Sequence, residues 1–379
     1  MLSGPTGRRR SRRSTEWAAP FRVLRPMACR PSFALPVALA VLVSLPCGAA
    51  EALPGAAIPV GIVRQFDALA TAVPPADPSE DAIAGEVPSD LTVERKLAVE
   101  LEFPDEVSGH MFTGTWRGER AVFTRSGPHL DISLLRQGQV TVISFTAPPL
   151  DAEEGERRAE LSSVRPTPSR SRRSVPPGHF EDPAAYSLHF HFFRHDDLLL
   201  KPSRELHARF VAWWLADMAG AVLPVEPMRA TYLERVPWVT DMAYGHPGSL
   251  EAFAHVLGLL GEHYRFDIDK TYKRKFILLT ASRPGPGIGG LAFQGGNEAI
   301  ARVNGRDRIV AHEIGHLLGA THALAERPRW WGCESNMVAA ADAGRGDCMY
   351  YTAANERAIR SYMRHGPALP ETDAIVVDD

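Results

Sequence analysis

One segment near the C-terminus, His312 to His322, constrains this chain more than any other feature. It places three histidines and a glutamate in the order His-Glu-x-x-His-x-x-Gly-x-x-His. Residues four apart on a helix share a face, so His312 and His316 can bind one ion while Glu313 lies beside it. Gly319 ends the helix because glycine can adopt a left-handed conformation, and the turn brings His322 back as a third ligand. The segment therefore predicts a metal site with a fourth position left for water.

The flanking residues fit a helix with one packed face. At 100° per residue the apolar side chains fall on one side, roughly opposite the histidines and the glutamate; they are Val310, Ile314, Leu317 and Leu318. A five-residue HExxH alone is often only the solvated face of a helix, whereas the eleven-residue form is far rarer. We expect one catalytic Zn²⁺ held by His312, His316 and His322, with Glu313 as the general base.

A methionine follows the zinc motif in the segment Cys348-Met349-Tyr350-Tyr351. A long zinc motif with such a downstream methionine resembles the metzincin clan of zinc endopeptidases. The resemblance implies that Met349 forms the hydrophobic floor under the ligands, although alone it would be an ordinary core methionine. It also implies that Tyr351 ligates zinc or steadies the oxyanion, as in astacin-like and serralysin-like members. Cys348 matches the Cys-x-Met context of the reprolysin (adamalysin-like) branch in part, so the branch stays open.

The resemblance implies a zinc-dependent endopeptidase with a protein or peptide substrate. Its expected fold is α/β (α+β): a catalytic domain with a twisted mixed sheet and an active-site helix, preceded by a small β-rich domain. A zinc-stabilised binding module and a zinc hydrolase of a non-peptide amide are the alternatives, although Glu313 has no task in a purely structural site. A net charge of −3 and a pI near 6.5 give no sign of a nucleic-acid partner, and the oligomeric state is unknown.

Changes in composition divide the chain into six expected segments. They are a leader and signal peptide (1–52), a linker (53–90), a β-rich propeptide domain (91–147), a basic Pro-rich tether (148–178), the catalytic domain (179–370) and a tail (371–379). The multibasic Arg170 to Arg173 predicts a processing site and hence a zymogen. The alternative is a solvated linker that joins an ordinary accessory domain.

An apolar run from Phe33 to Pro46 predicts export. Arginines precede it and small residues follow it, as in a secretory signal peptide, and it is shorter than the ~20 residues of a membrane anchor. Met27 is an alternative start, and a twin-arginine signal is an alternative interpretation of the leader. We expect a secreted, extracellular or periplasmic protein without a stable membrane anchor.

Two cysteines remain after the leader, Cys333 and Cys348. An oxidising compartment favours a disulfide between them, which would brace the segment leading into the methionine turn. The alternative is a pair of reduced, buried thiols.

The catalytic region shows an α/β pattern. Strands are expected at Leu188–Phe193 and Phe276–Thr280, and helices from Ser203, as N-cap, to about Ala221 and from Ser249 to about Tyr264. His189, His191 and His195 have the spacing of one strand face. The run Gly287–Phe293 resembles the metzincin edge strand that pairs with an extended substrate, or is a glycine-rich turn. Trp330 and Trp331 either shape the cleft or pack.

Overall fold

The structure describes several stretches of the chain, all of them after residue 58. This computed structural model describes residues 59–73, 90–104, 107–147, 188–264, 272–328, 332–340, 342, 344–367 and 374–378, all within the unit Gly55–Asp379. The signal run, the multibasic segment and the pair Trp330-Trp331 lie outside the described residues. Among the described helices, none is long and apolar enough to cross a bilayer.

Helices and strands alternate after an N-terminal part made mainly of strands. The helices are α1 Pro59–Ala72, α2 (Ser203–Leu206, His207–Val211, Ala212–Asp217 and Met218–Val222 in succession), α3 Ser249–Tyr264, α4 Ile309–Leu317 and α5 Ala353–His365, with short 3-10 turns at Asp196–Leu198 and His322–Leu324. The strands are β1 Leu91–Phe103, β2 Val107–Trp116, β3 Glu119–Ser126, β4 His129–Arg136, β5 Gln139–Thr146, β6 Leu188–Arg194, β7 Met228–Glu234, β8 Arg274–Thr280, β9 Ile288–Phe293, β10 Glu298–Arg302, β11 Cys333–Glu334, β12 Gly346–Asp347 and β13 Ala374–Asp378.

In the described part of the chain, 11 of these strands form one mixed sheet. Their order is β13-β9-β10-β8-β6-β7-β1-β2-β3-β4-β5. β6 runs parallel to β7 and β8, and β10 runs parallel to β8, which is typical of strands joined through crossover connections. β9 is antiparallel to β10, and β1 to β5 form an antiparallel meander. The expected α/β (α+β) fold with a large mixed sheet is confirmed.

Tight turns set the register of the meander. Arg117-Gly118 and Gln137-Gly138 have positive φ at both positions, 52° and 77° in the first turn and 50° and 74° in the second. This conformation matches the right-handed twist of the flanking strands, and glycine adopts it at little steric cost. The strands on either side consequently pair from the turn outward, with Trp116 opposite Glu119 in the first hairpin.

The meander and the α/β part share one sheet and one hydrophobic core. β1 pairs in parallel with β7 over Val99 to Glu102. Apolar side chains from β1, β2, β6 and α2 lie in a single buried cluster, which includes Leu97, Val99, Leu101, Met111, Phe190, Phe192 and Trp214. The change of pattern that separates 91–147 from 179–370 in the sequence therefore does not interrupt the sheet.

Two local predictions are wrong. Part of the expected loose linker, Pro59–Ala72, is helix α1, because Phe66 is fully buried against aromatic rings of the meander and Asp67 pairs with Arg125 at 2.7 Å. Ser203 begins α2 but does not cap it, since its hydroxyl donates to Glu234 at 2.6 Å.

Candidate metal centre

Helix α4 carries the first two histidines and packs against β9 and β10. All 9 of its residues are buried. Beyond the helix, the amide of Gly319 donates to the carbonyl of His316 at 3.0 Å, and the amide of Ala320 donates to that of Gly315 at 2.8 Å. These two bonds form a Schellman motif, which favours a left-handed residue at Gly319, where φ is 84°. The predicted glycine turn after the helix is confirmed.

The turn brings the three histidines together through the same ring atom. The Nε2 atoms of His312 and His316 lie 3.1 Å apart, and that of His322 lies 3.0 Å from the first and 2.9 Å from the second. Zinc–nitrogen bonds of 2.0–2.1 Å in a tetrahedron put the nitrogens about 3.3 Å apart. Three nitrogens that converge at nearly this spacing fit one metal ion, and among the described residues these histidines form the one such cluster.

Hydrogen bonds on the far side of two rings fix which nitrogen faces the other histidines. His312 Nδ1 lies 2.6 Å from the carbonyl oxygen of Asn336, which can only accept, so Nδ1 carries the proton. His316 Nδ1 lies 3.0 Å from Gln294 Oε1. The Gln294 amide is oriented by its own Nε2, which donates to the carbonyl of Ala320 at 3.2 Å. Both imidazoles therefore keep an unprotonated Nε2, the form that binds metal.

The third histidine is positioned through its neighbour in the chain. The side-chain amide of Asn355 on α5 makes two hydrogen bonds to the backbone of Thr321. It accepts from the N–H at 2.9 Å and donates to the carbonyl at 3.2 Å. Asn355 is fully buried, so this clamp is shielded from competing water. The residue immediately before His322 is thus fixed to a helix that follows the site in sequence.

Burial keeps the imidazoles neutral. Desolvation lowers the pKa of His312 well below its usual value, and it lowers the pKa of His316 to about 3. The pKa of half-buried His322 is lowered by the same cause. Neutral imidazole is the form that ligates a metal, so the electrostatic environment agrees with the donor geometry.

Glu313 is fully buried, and neither of its carboxylate oxygens has a hydrogen-bond partner in the protein. Desolvation raises its pKa well above the ordinary value for a glutamate. A Cβ at Gly290 of β9 would overlap this carboxylate, so the strand passes directly over it and only glycine leaves the room. Buried carboxylates without partners are rare, and a water held by the metal would supply the missing donor. The residues present therefore fit a metal ion with a bound water.

A methionine and a tyrosine pack against helix α4. The side chain of Met337 and the ring of Tyr351 lie directly against Gly315, where an added Cβ would collide with both. Met349 is buried and has a φ of 61°, and it lines a cavity of about 470 Å³ together with Trp213 and Val140. The sequence did not single out Met337, and the floor role of Met349 stays a prediction.

Tyr351 is placed under the helix with its hydroxyl already engaged. The hydroxyl donates to the carbonyl of Ala311 and accepts from Trp214 Nε1 at 2.9 Å. Burial raises the pKa of this phenol above its ordinary value, so it stays protonated. With its one proton used, the hydroxyl has none to offer an oxyanion. The expected oxyanion or zinc-ligand role of Tyr351 does not agree with this arrangement, which gives it a packing role.

Arg308, just before α4, ties the helix to the loop that supplies the carbonyl for His312. Its buried guanidinium donates to Asp347 at 2.9 Å and to the carbonyls of Asn336 and Val338 at 3.0 and 2.8 Å. The expected disulfide between Cys333 and Cys348 closes the same loop, with Cα atoms 5.0 Å apart, and is confirmed. The loop that orients the first ligand is therefore fixed at several points.

Comparison with known proteins does not assign the chain to a family. No protein-family model and no curated protein matches the chain. Among solved structures, it is similar to the crystal structure of metalloproteinase-II from Bacteroides fragilis, with 16% sequence identity, a TM-score of 0.41, and coverage of 70% of this chain and 86% of that chain. A likeness at that level does not place the chain in a family, so the assignment of function depends on the site itself.

Proposed function

We propose that this protein is a zinc-dependent endopeptidase of the metzincin type. The observation that carries the proposal is the convergence of three Nε2 atoms beside a buried carboxylate that lacks any partner. A purely structural zinc site would be closed by a fourth protein ligand, and among the described residues the cluster contains three. An open site with an adjacent base is the arrangement that hydrolysis needs.

The zinc ion and the protein side chains would have different roles in hydrolysis. When bound, zinc would lower the pKa of a coordinated water to about 7 and polarise the scissile carbonyl. His312, His316 and His322 would hold the zinc ion through Nε2. Glu313 accepts the proton of the attacking water on a carboxylate oxygen and then passes it to the leaving amine. Burial of Glu313 raises its pKa and so strengthens it as a base, which favours acceptance of the proton from water.

An exported location and a peptide substrate belong to the same proposal. The disulfide is typical of an oxidising compartment, which supports export through the apolar run near the N-terminus. The outer side of β9, beside α4, pairs with an extended antiparallel segment, β13, so it is suited to take an extended peptide in its place, which favours protein substrates over small amides.

The test combines metal analysis with hydrolysis. We expect the purified protein to bind one zinc per chain and to cleave casein in a reaction that chelation stops and added zinc restores. Glu313→Gln should retain the metal and lose at least about two orders of magnitude in rate, the scale for removal of a general base. Glu356→Gln, at a partly buried ion pair with Arg360 on α5, is the matched control and should behave as wild type.

The alternatives give different results. A metal-replete Glu313→Gln variant with wild-type activity would refute the mechanism. A zinc-loaded wild type that cleaves neither proteins nor peptides would point to a binding module, and hydrolysis of small amides alone would point to a non-peptide hydrolase.

A further inference from the structure

The outer edge of β9 is occupied by the end of the chain itself. β13 runs antiparallel to β9, with Ala374 opposite Phe293 and the pairing continuing to Asp378 opposite Ile288. On its other side β9 pairs with β10, so β13 takes the edge that would otherwise be free. An edge strand exposes unpaired N–H and C=O groups and is a template for an added extended segment.

The paired segment lies at the register of the catalytic carboxylate. Val377 pairs with Gly290, the residue whose missing Cβ leaves room for Glu313. Val376 and Ile375 pair with the next two residues of β9, Leu291 and Ala292. The backbone of the C-terminal segment therefore spans the same part of the edge that an extended peptide would need in order to bring a bond near Glu313.

We propose that residues 374–378 are a built-in competitor that occupies the peptide-binding edge of β9 and must leave before a substrate can bind. The proposal rests on the proposed peptidase function, since it assigns the same edge to substrate. The partner of this edge is an extended antiparallel peptide, which is either residues 374–378 of the chain or a substrate.

The size of the expected effect on KM depends on how often the tethered segment leaves the edge of β9. A segment joined by a short linker is present at an effective concentration in the millimolar range, far above that of most substrates. If the edge is free in about a tenth of molecules, the apparent affinity for substrate falls about tenfold. Removal of the segment should recover that factor in KM and leave kcat unchanged, because the segment contains none of the proposed catalytic residues.

The experiment compares the full chain with a chain that ends at Asp373. We expect the truncated, zinc-loaded protein to show an about tenfold lower KM for an extended peptide substrate at unchanged kcat. A synthetic peptide of residues 374–379, added back, should inhibit it competitively. A matched variant replaces residues 374–379 by a Gly-Ser sequence of equal length, which has little strand propensity, and it should behave like the truncation.

A second readout does not depend on hydrolysis. Amide hydrogen exchange over 288–293 should be about tenfold faster in the truncated chain than in the full chain, because the outer edge loses its partner. Labelled tail peptide should bind truncated Glu313→Gln protein. Equal exchange in both chains, or unchanged KM in an active truncated enzyme, would overturn the proposal. If neither chain hydrolyses peptides, the proposed function fails, while exchange and peptide binding still decide whether the segment occupies the edge.

Discussion

Gln294 is the residue whose contribution to the site is most readily isolated. It follows β9 directly and orients His316, while the next amide, that of Gly295, donates to the carbonyl of His316 at 2.8 Å. The loop after β9 thus contacts His316 through both a side chain and a backbone amide. Partners of this kind fix the ring orientation and the protonated nitrogen of a ligand.

We expect Gln294→Leu to lower zinc affinity by about 10- to 100-fold, the usual cost of losing such a partner. Gln294→Glu keeps an acceptor for His316 Nδ1 and should stay closer to wild type. Competition with a chromophoric chelator measures both affinities. The same loss in both variants would mean that the donation to Ala320, which glutamate cannot make when ionised, matters more than the orientation of His316.

The convergence of the three histidines was predictable from the sequence, whereas the residues that hold them in place were not. His312 and His316 lie on α4 and Gly319 lies in the turn that ends it, so their spacing alone predicts convergence with His322. Gln294, Asn336 and Asn355 act from 22, 24 and 34 residues away along the chain. Ordinary amide residues carry no local pattern for such contacts, and Met337 was missed for the same reason.

At the scale of elements, helix α2 joins the meander to the central strands. His207 of α2 is fully buried, with Nδ1 2.7 Å from the hydroxyl of Tyr232 on β7 and Nε2 3.1 Å from that of Thr124 on β3. Next to it, Ser133 of β4 donates to the carbonyl of Ala208 at 2.6 Å. The sequence predicted the extent of this helix but not these contacts, because each joins segments far apart in the chain.

Burial of His207 predicts a pH dependence of stability. Desolvation lowers its pKa to about 3 in the folded protein, against 6.5 for an ordinary histidine. Below pH 6.5 the unfolded chain binds a proton that the folded chain does not, so this residue destabilises the fold increasingly as pH falls. The free energy of unfolding should fall by about 1.4 kcal/mol per pH unit from this residue between pH 6.5 and 3.

Denaturant unfolding of metal-free protein at pH 7.5, 6 and 5 tests this effect without interference from zinc release. The His207→Gln variant lacks the titrating ring, so its unfolding free energy should depend less steeply on pH than that of wild type. The comparison concerns slopes, since the substitution also changes stability at pH 7.5. Parallel slopes would show that His207 is protonated equally in both states.

At the scale of the whole molecule, the meander directly contacts the segment that leads into α4. Asp307, two residues before α4, accepts from the amide of Val140 on β5 at 2.7 Å and from Arg209 of α2 at 2.9 Å. Arg204 of α2 pairs with buried Asp131 of β4 at 2.9 Å. The parallel pairing of β1 with β7 joins residues more than 120 positions apart, which no local pattern predicts. Alternating strands in 91–147 were therefore predictable, whereas their place in the sheet was not.

This arrangement leads to a prediction about cleavage between the two parts. Cutting the chain at the multibasic Arg172-Arg173 should leave the meander bound, because separation would expose the shared apolar core and break the ladder between β1 and β7. We expect the two fragments to elute together in size-exclusion chromatography and to separate only in denaturant. The uncut control is the double substitution Arg172→Ala and Arg173→Ala. If the N-terminal fragment instead dissociates under native conditions while peptidase activity rises, residues 91–147 are a removable propeptide and their contacts with α2 and Asp307 are not needed for the mature fold.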